Sequence, residues 1–166
     1  MTHDEFSHRP LAADDLPSIC GFVRTKEELF FMFPAANWPL SCAQLAQAAT
    51  QRREPTVFLW EGEVAGYANF RTWEPDQYCE VGNVVVDPAL RRRGLASRIM
   101  AVMEAKARDA FEAKQLQVSC FSMNTGGLIL YSRLGFLATG IATRSGPDGA
   151  PSTLIHLKKN ILGASR

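Results

Sequence analysis

Apolar residues recur at helical spacing over one long segment, from Gly94 to Lys114. They form a single stripe, which consists of Leu95, Ile99, Met103, Ala107 and Phe111. Charged residues lie off this stripe, so the segment predicts an amphipathic helix with one buried face. Helix-start signals predict four shorter helices: Asp14 to about Val23, one opened by a capping box of Thr25 and Glu28, one after Ser41, and Thr125 to Leu134.

Seven other runs are predicted to form β-strands, at residues 4–9, 56–60, 64–73, 78–87, 116–121, 136–143 and 153–157. The turn Glu61-Gly62-Glu63 predicts a hairpin between the second and third of these runs. The continuous run Val84-Val85-Val86 favours a strand that is covered on both faces. We therefore expect residues 1–166 to form one mixed α/β domain, with a right-handed crossover through the long helix.

Composition narrows the class of protein. Hydrophobic residues make up 46% of the chain and charged residues 21%, as in ordinary globular proteins. A net charge of +1 gives no general attraction to nucleic acid or to a membrane surface. No apolar run approaches the roughly 20 residues that span a bilayer, and the acidic first twenty residues do not resemble a signal peptide. We expect a cytoplasmic protein without a metal, since the cysteines and histidines are dispersed.

A basic loop connects the central strand to the long helix. The strand ends near Pro88, three arginines follow at 91–93, and the helix opens at Gly94. The first amides of a helix lack intrahelical partners and carry partial positive charge, so such an opening attracts anions. No G-x-x-x-x-G-K-[ST] or G-x-G-x-x-G loop is present, so nucleotide hydrolysis and dinucleotide redox chemistry have no anchor.

Two segments carry a resemblance to a known family. Arg91-Arg92-Arg93-Gly94-Leu95-Ala96 resembles R/Q-x-x-G-x-G/A, the acetyl-CoA signature of the GNAT superfamily. The segment from Asn124 to Phe136 resembles the family's N-x-x-A-x-x-L-Y-x-x-x-G-F, with Gly127 at the usual alanine. The resemblance implies a mixed, mostly antiparallel sheet of about six to seven strands, flanked by helices and containing a splayed pair of parallel strands.

The resemblance also implies site residues. The acetyl-CoA residues would be Val84, Val85, Val86, Arg91, Arg92, Arg93, Gly94, Leu95, Ala96, Ser97, Asn124 and Gly127. Tyr131 would protonate the leaving sulfur, and Glu80 would act as a base towards the amine. Without the resemblance, Tyr131 is interpreted as a packed aromatic residue and Glu80 as an exposed residue at a strand end. Asn124 is interpreted as a helix cap, and this role is compatible with a contact to coenzyme A.

Acceptor choice in this fold usually depends on the segment between the first strands. Its aromatic residues could form the wall of a pocket, and its acidic residues could attract a cationic amine. A tryptophan at the end of the hairpin could also line this site. The candidates are Glu27, Glu28, Phe31, Trp38 and Trp73. The favoured explanation of these aromatics is core packing of a helix that covers the sheet. Branches that acetylate protein N-termini carry a glutamate where this chain has Ser119, so that substrate is disfavoured.

The expected activity is transfer of an acetyl group from acetyl-CoA to a primary amine, by direct attack in a ternary complex. A lysine side chain, a peptide and a small-molecule amine all remain open as acceptors. The alternative is a sensor domain that binds acyl-CoA without turnover. We expect no nucleic-acid or membrane partner, and either a monomer or a homodimer.

Overall fold

A seven-stranded mixed sheet forms the centre of the computed structural model, which describes residues 5–162. Its order is β1-β2-β3-β4-β5-β7-β6. The strands are β1 (Phe6–Pro10), β2 (Arg53–Trp60), β3 (Glu63–Glu74), β4 (Tyr78–Val86), β5 (Gln115–Phe121), β6 (Leu137–Ser145) and β7 (Pro151–Asn160). Within the described range, β4 and β5 are the one parallel pair and all other neighbours are antiparallel. The predicted mixed α/β fold is confirmed.

Within residues 5–162, five α-helices cover this sheet: α1 (Leu16–Gly21), α2 (Lys26–Met32), α3 (Cys42–Thr50), α4 (Leu95–Phe111) and α5 (Thr125–Arg133). The predicted apolar stripe of α4 is buried from Leu95 through Ala107, and Phe111 packs edge-on against Phe70. α4 ends at Phe111 instead of Lys114. Glu112 adopts a left-handed conformation there, and its amide donates to the carbonyl of Arg108 at 3.1 Å, as in the αL type of helix cap.

The sheet has a hydrophobic core on each face. One core packs α4 and α5 against β3, β4 and β5, with Ile99 and Met103 at its centre. The other packs α1, α2 and α3 against the opposite face. In β4, Val85 contacts the second core while its neighbours Val84 and Val86 contact the first. The run of three valines therefore reflects cover on both faces, as its pattern predicts.

The parallel strands β4 and β5 separate soon after they begin. They pair only between residues 78–80 of β4 and 115–117 of β5, whereas β4 continues along β3 to Val86. An extra residue in β4, Asn83, forms a β-bulge with a positive φ of 52°. Its side chain accepts a hydrogen bond from Asn69 at 2.9 Å and donates one to the Met32 carbonyl at 3.0 Å. These bonds stabilise the bulge beneath α2 and keep the far half of β4 turned from β5.

The predicted helix caps need two corrections. Asp14 does not cap a helix, because residues Ala13–Asp15 form a 3₁₀ turn and α1 begins at Leu16 with Pro17 in its first turn. Thr25 does cap α2 by accepting from the Glu28 amide at 3.0 Å. The Glu28 carboxylate, however, accepts from the amide of Arg24 instead of closing a capping box. Within residues 5–162, no helix is long and apolar enough to cross a membrane.

We predict that Asp15→Asn lowers the free energy of unfolding by about 1–2 kcal/mol at pH 7. Asp15 is buried and accepts two bonds from Arg9, at 2.7 and 2.8 Å, and one from the Ala12 amide. The bond from Arg9 holds the pKa of Asp15 below its usual value of 3.8. This stabilisation is therefore present above pH 4 to 5 and lost as the pH falls through the lower, folded-state pKa.

Urea unfolding at pH 7 and near pH 2.5 measures the difference in the free energy of unfolding between wild type and Asp15→Asn. The exposed neighbour Asp14 provides the control, since Asp14→Asn should change stability by less than about 0.5 kcal/mol. A stability gap for Asp15→Asn that stays equal at both pH values would contradict the prediction.

Candidate active site

The separation of β4 from β5 opens a large cleft. Its volume is about 1010 Å³, and residues 80–86 of β4 form one wall. The start of α4 closes one end, and residues of α5, including Tyr131, form part of the opposite wall. Because β5 does not pair with β4 beyond Glu80, backbone amides and carbonyls along this edge lack a strand partner. Such groups need hydrogen bonds and are suited to an extended ligand.

The beginning of α4 lies at this cleft without a side-chain cap. Gly94 occupies the N-cap position with a left-handed φ of 78°, which favours glycine. By contrast, the starts of α2, α3 and α5 are capped by the side chains of Thr25, Ser41 and Asn124. Each of these side chains accepts a hydrogen bond from a backbone amide. The first turn of α4 also contains no acidic residue. Its amides are thus free of side-chain partners at a terminus that favours negative charge.

A second helix start faces the same cleft. The Asn124 side chain accepts from the Gly127 amide at 3.0 Å, so its capping role is confirmed. A Cβ on Gly127 would lie 2.7 Å from Asn124 Nδ2 and 2.9 Å from Cys120 Sγ. That crowding explains why glycine replaces the alanine of the family pattern. A Cβ on Gly126, in contrast, would meet no atom within 4 Å and would enter open space at the cleft.

Tyr131 lies on α5 at the inner wall of the cleft. Its ring packs edge-on against Phe136 with 5.6 Å between centroids, and only 9% of the residue is exposed. Burial, assisted by the nearby Cys120, raises the pKa of Tyr131 well above its usual 10. Burial likewise raises the pKa of the Cys120 thiol to about 11. Both groups therefore keep their protons at neutral pH, so the Tyr131 hydroxyl is available as a hydrogen-bond donor at the cleft wall.

Glu80 forms the centre of a hydrogen-bond network. Arg71 Nη2 donates to both carboxylate oxygens at 2.8 Å, Thr72 Oγ1 donates to Oε2 at 2.8 Å, and Ser119 Oγ donates to Oε1 at 3.1 Å. An ionised carboxylate has about four acceptor positions, so these bonds use all of them. The residue is buried, with 6% of its surface exposed, in contrast to the exposed strand-end residue that the pattern alone allowed.

This network continues across β5 to the neighbouring strand β7. Ser119 Oγ lies 2.9 Å from Nδ1 of His156, which belongs to β7. His156 lines a second, smaller cleft of about 260 Å³, and Glu80 and Ser119 border both clefts. A serine hydroxyl can accept one hydrogen bond while it donates another. Glu80, Ser119 and His156 therefore form a continuous chain from the main cleft to the smaller one.

The predicted site residues divide into two groups. Of the cofactor candidates, all line the main cleft except Arg93. Of the acceptor candidates, Glu28 and Phe31 line it, whereas Glu27, Trp38 and Trp73 do not. Trp38 is 42% exposed, and Trp73 lies under the guanidinium of Arg53, 5.2 Å from its ring centroid.

Glu28 is already occupied within the cleft. It accepts from Arg91 Nη1 at 3.2 Å as well as from the Arg24 amide at 2.8 Å. Burial alone would raise the pKa of Glu28, but these two bonds lower it on balance. Its charge is therefore matched by that of Arg91, which weakens the idea that it attracts a cationic amine.

Sequence reasoning missed four polar residues that contribute to the site or to its network: Arg52, Arg71, Thr72 and His156. Arg71 is the extra residue of a bulge in β3, between the pairs Phe70 with Val81 and Thr72 with Glu80. The hydrophobic pattern of a sequence shows neither the position of a β-bulge nor the contacts between residues that are distant along the chain. Among residues 5–162, no three His, Cys, Asp or Glu side chains lie close enough together to hold a metal ion.

A comparison with family models gives a match to the acetyltransferase (GNAT) family over residues 12–136, about three quarters of the chain. The chain belongs to the GNAT acetyltransferase family. It is accordingly an acetyl-CoA-dependent acetyltransferase, and acetyl-CoA is the cosubstrate. The uncapped start of α4, the arginines beside it and the unpaired edge of β4 fit a long ligand with an anionic diphosphate. The comparison with curated proteins gives no match.

Solved structures show the same fold at low sequence identity. YncA of Salmonella typhimurium, solved with its cofactor acetyl-CoA, superposes with a TM-score of 0.72 at 20% identity over 98% of both chains. The ribosomal-protein-S18-alanine N-acetyltransferase of Escherichia coli gives 0.72 at 20% identity, over 97% of this chain and 98% of that one. An N-acetyltransferase of Staphylococcus aureus Mu50 gives 0.74 at 20%, over 94% and 98%. The predicted GNAT fold is thereby confirmed.

We predict that Gly126→Phe weakens binding of coenzyme A at least tenfold while the domain stays folded. The new ring starts from open space at the cleft wall and would occupy volume next to the start of α5. Titration calorimetry with coenzyme A measures the affinity, and thermal unfolding checks the fold. The control is Gly140→Phe on the exposed strand β6, which also has no atom within 4 Å of a new Cβ. Equal affinities of the two variants for coenzyme A would contradict the view that coenzyme A binds in the main cleft beside the start of α5.

Proposed function

We propose that this acetyltransferase, acting as a single domain over residues 1–166, acetylates a primary amine by direct attack on acetyl-CoA in a ternary complex. The observation that carries the proposal is the convergence of three features on one cleft. The uncapped start of α4, the unpaired edge of β4 and the two polar side chains Tyr131 and Glu80 all border it.

The donor would lie along β4. The amides of residues 95–97, with Arg91 and Arg92, hold the diphosphate at the start of α4. The pantetheine arm follows the unpaired edge at residues 84–86, and Asn124 approaches it from α5. This course directs the thioester towards the middle of β4, where Tyr131 lines the opposite wall. Binding along a fixed strand edge orients the thioester for attack.

The transfer step exchanges one bond for another. The nitrogen of the neutral amine attacks the thioester carbonyl, the C–N bond forms, and the C–S bond breaks. Tyr131 donates its proton to the departing thiolate, whose conjugate acid resembles a cysteine thiol with a pKa near 8.5. The tyrosine regains a proton as the nitrogen releases one, so the products are the N-acetyl amide and free coenzyme A thiol.

The acceptor must lose a proton before it attacks. A lysine-like amine with a pKa of about 10.4 pays roughly 4.6 kcal/mol to become neutral at pH 7. Glu80 takes this proton, directly or through one water, when Ser119 turns its hydroxyl from Glu80 towards His156 and releases a position on Oε1. The proton then passes along Ser119 and His156 to the second cleft.

We predict that Tyr131→Phe lowers kcat by about 100-fold or more and leaves the affinity for coenzyme A within about threefold. The substitution removes only the proton donor, while the ring keeps its packing against Phe136. Steady-state release of coenzyme A thiol measures kcat. Tyr78→Phe is the matched control, because this substitution removes the same hydroxyl group at a position outside the main cleft. An unchanged kcat for Tyr131→Phe would remove this residue from the proton-donor role.

We predict that Glu80→Gln lowers kcat/KM by about 100-fold at pH 7, and that the loss shrinks above pH 10. At high pH the amine is neutral without help, so the base is no longer needed. The pH profile of kcat/KM for wild type and variant tests this. Glu74→Gln, at the exposed end of β3, serves as the control. A loss of the same size at every pH would mean that Glu80 only supports the structure.

A further inference from the structure

The guanidinium of Arg52 has an unsatisfied nitrogen at the edge of the cleft. Arg52 lies between α3 and β2 and lines the main cleft. Its Nη1 atom is shielded from solvent but has no hydrogen-bond partner among residues 5–162. A buried donor without a partner is unfavourable, and more so when it carries charge. Arg52 therefore presents a charged hydrogen-bond donor without a partner at the edge of the cleft.

This nitrogen lies close to the proposed centre of proton transfer. A Cβ on Gly82 would be 3.4 Å from Arg52 Nη1, 3.1 Å from the Cβ of Arg71 and 3.3 Å from Asn69 Oδ1, a buried acceptor that also has no partner among residues 5–162. Gly82 is two residues beyond Glu80, and side chains two apart in a strand share a face. Because Gly82 has no side chain, no Cβ occupies the position beside the two arginines. A group attached to the acceptor amine would reach that position while the amine faces Glu80.

The charges of the cleft favour an anion at this point. The acidic residues that line it, Glu28 and Glu80, are both already bonded to arginines. Burial lowers the pKa of Arg52, and the positive charge of neighbouring Arg71 lowers it further. A second cation would find no unpaired carboxylate among the described lining residues. An anion between Arg52 and Arg71 would relieve their repulsion and satisfy Nη1.

We propose that Arg52 binds a carboxylate on the acceptor, so that the substrates are primary amines that carry a carboxylate close to the nitrogen. This inference rests on the proposed function and specifies its acceptor. Apolar walls from Phe22, Phe31 and Phe33 line the same cleft and suit a hydrophobic side chain. The substrate class is therefore that of apolar α-amino acids and related amino carboxylates, in contrast to polyamines.

Matched pairs of amines test the proposal, each an amino acid with its decarboxylated counterpart. Suitable pairs are phenylalanine with phenethylamine, and methionine with 3-(methylthio)propylamine. We expect wild type to acetylate the amino acid of at least one pair with the higher kcat/KM. Arg52→Met should lower kcat/KM for that amino acid by about 10- to 100-fold and leave its counterpart within about threefold. Comparing variant with wild type on one substrate removes the effect of the amines' different pKa values.

Two further variants separate recognition from folding. Arg53→Met makes the same substitution one residue along, on an exposed side chain that stacks on Trp73 outside the cleft. It should leave the preference unchanged. Arg52→Lys keeps the charge and should retain part of the preference. Thermal unfolding confirms that each variant is folded. Equal kcat/KM values within every pair for wild type, or an equal loss on both members for Arg52→Met, would overturn the proposal.

Binding measurements distinguish this proposal from the proposed function. Calorimetry measures the affinity of phenylalanine and methionine for wild type and for Arg52→Met, both saturated with coenzyme A. Amino-acid binding that needs Arg52, without turnover of any amine, would support the carboxylate site and contradict the acetyl-transfer proposal. Turnover of phenethylamine that exceeds turnover of phenylalanine would support acetyl transfer and overturn the carboxylate site.

Discussion

The divergence of two parallel strands determines almost everything else in this molecule. β4 and β5 pair over three residues and then part, because β4 bulges at Asn83 and remains hydrogen-bonded to β3. Asn83 is held in its left-handed conformation by Asn69 and by the carbonyl of Met32, so α2 fixes the divergence from above the sheet. A parallel sheet would normally satisfy the inner edge of each strand. Here that edge of β4 borders the cleft, and its free backbone groups provide the surface against which a long cosubstrate can extend.

The two ends of the cleft differ in character for local reasons. At one end, a left-handed glycine begins α4 and leaves the first amides uncapped beside a run of arginines. That end needs no particular side-chain geometry to bind a diphosphate. At the other end, Glu80 depends on three different side chains from β3 and β5 for its hydrogen bonds. In the proposed mechanism, binding of the donor is thus largely a backbone property, whereas recognition and activation of the acceptor depend on a network of side chains.

The sequence predicts the first of these ends far better than the second. The basic loop, Gly94 and the helix stripe are contiguous, so their spacing alone indicates an anion site on a long helix. Asn124 and Tyr131 follow in one short segment. The polar network, in contrast, joins Arg71 at a bulge, Ser119 on β5 and His156 on β7, and a bulge changes which face a residue occupies. Trp38 and Trp73 were candidates for the pocket wall, but both lie outside the cleft. Composition can suggest that a pocket has an aromatic wall, but it does not show where each aromatic side chain lies.

The central claim is that the amides at the start of α4 hold the diphosphate of the cosubstrate. Amide chemical-shift changes in a nitrogen-15 labelled sample test it most directly, with coenzyme A compared against pantetheine, which lacks the diphosphate. We expect coenzyme A to shift the amides of Leu95, Ala96 and Ser97, and pantetheine to shift those of residues 84–86 while leaving the α4 amides unchanged. Coenzyme A that binds elsewhere without moving the α4 amides, or that does not bind at millimolar concentration, would contradict the account.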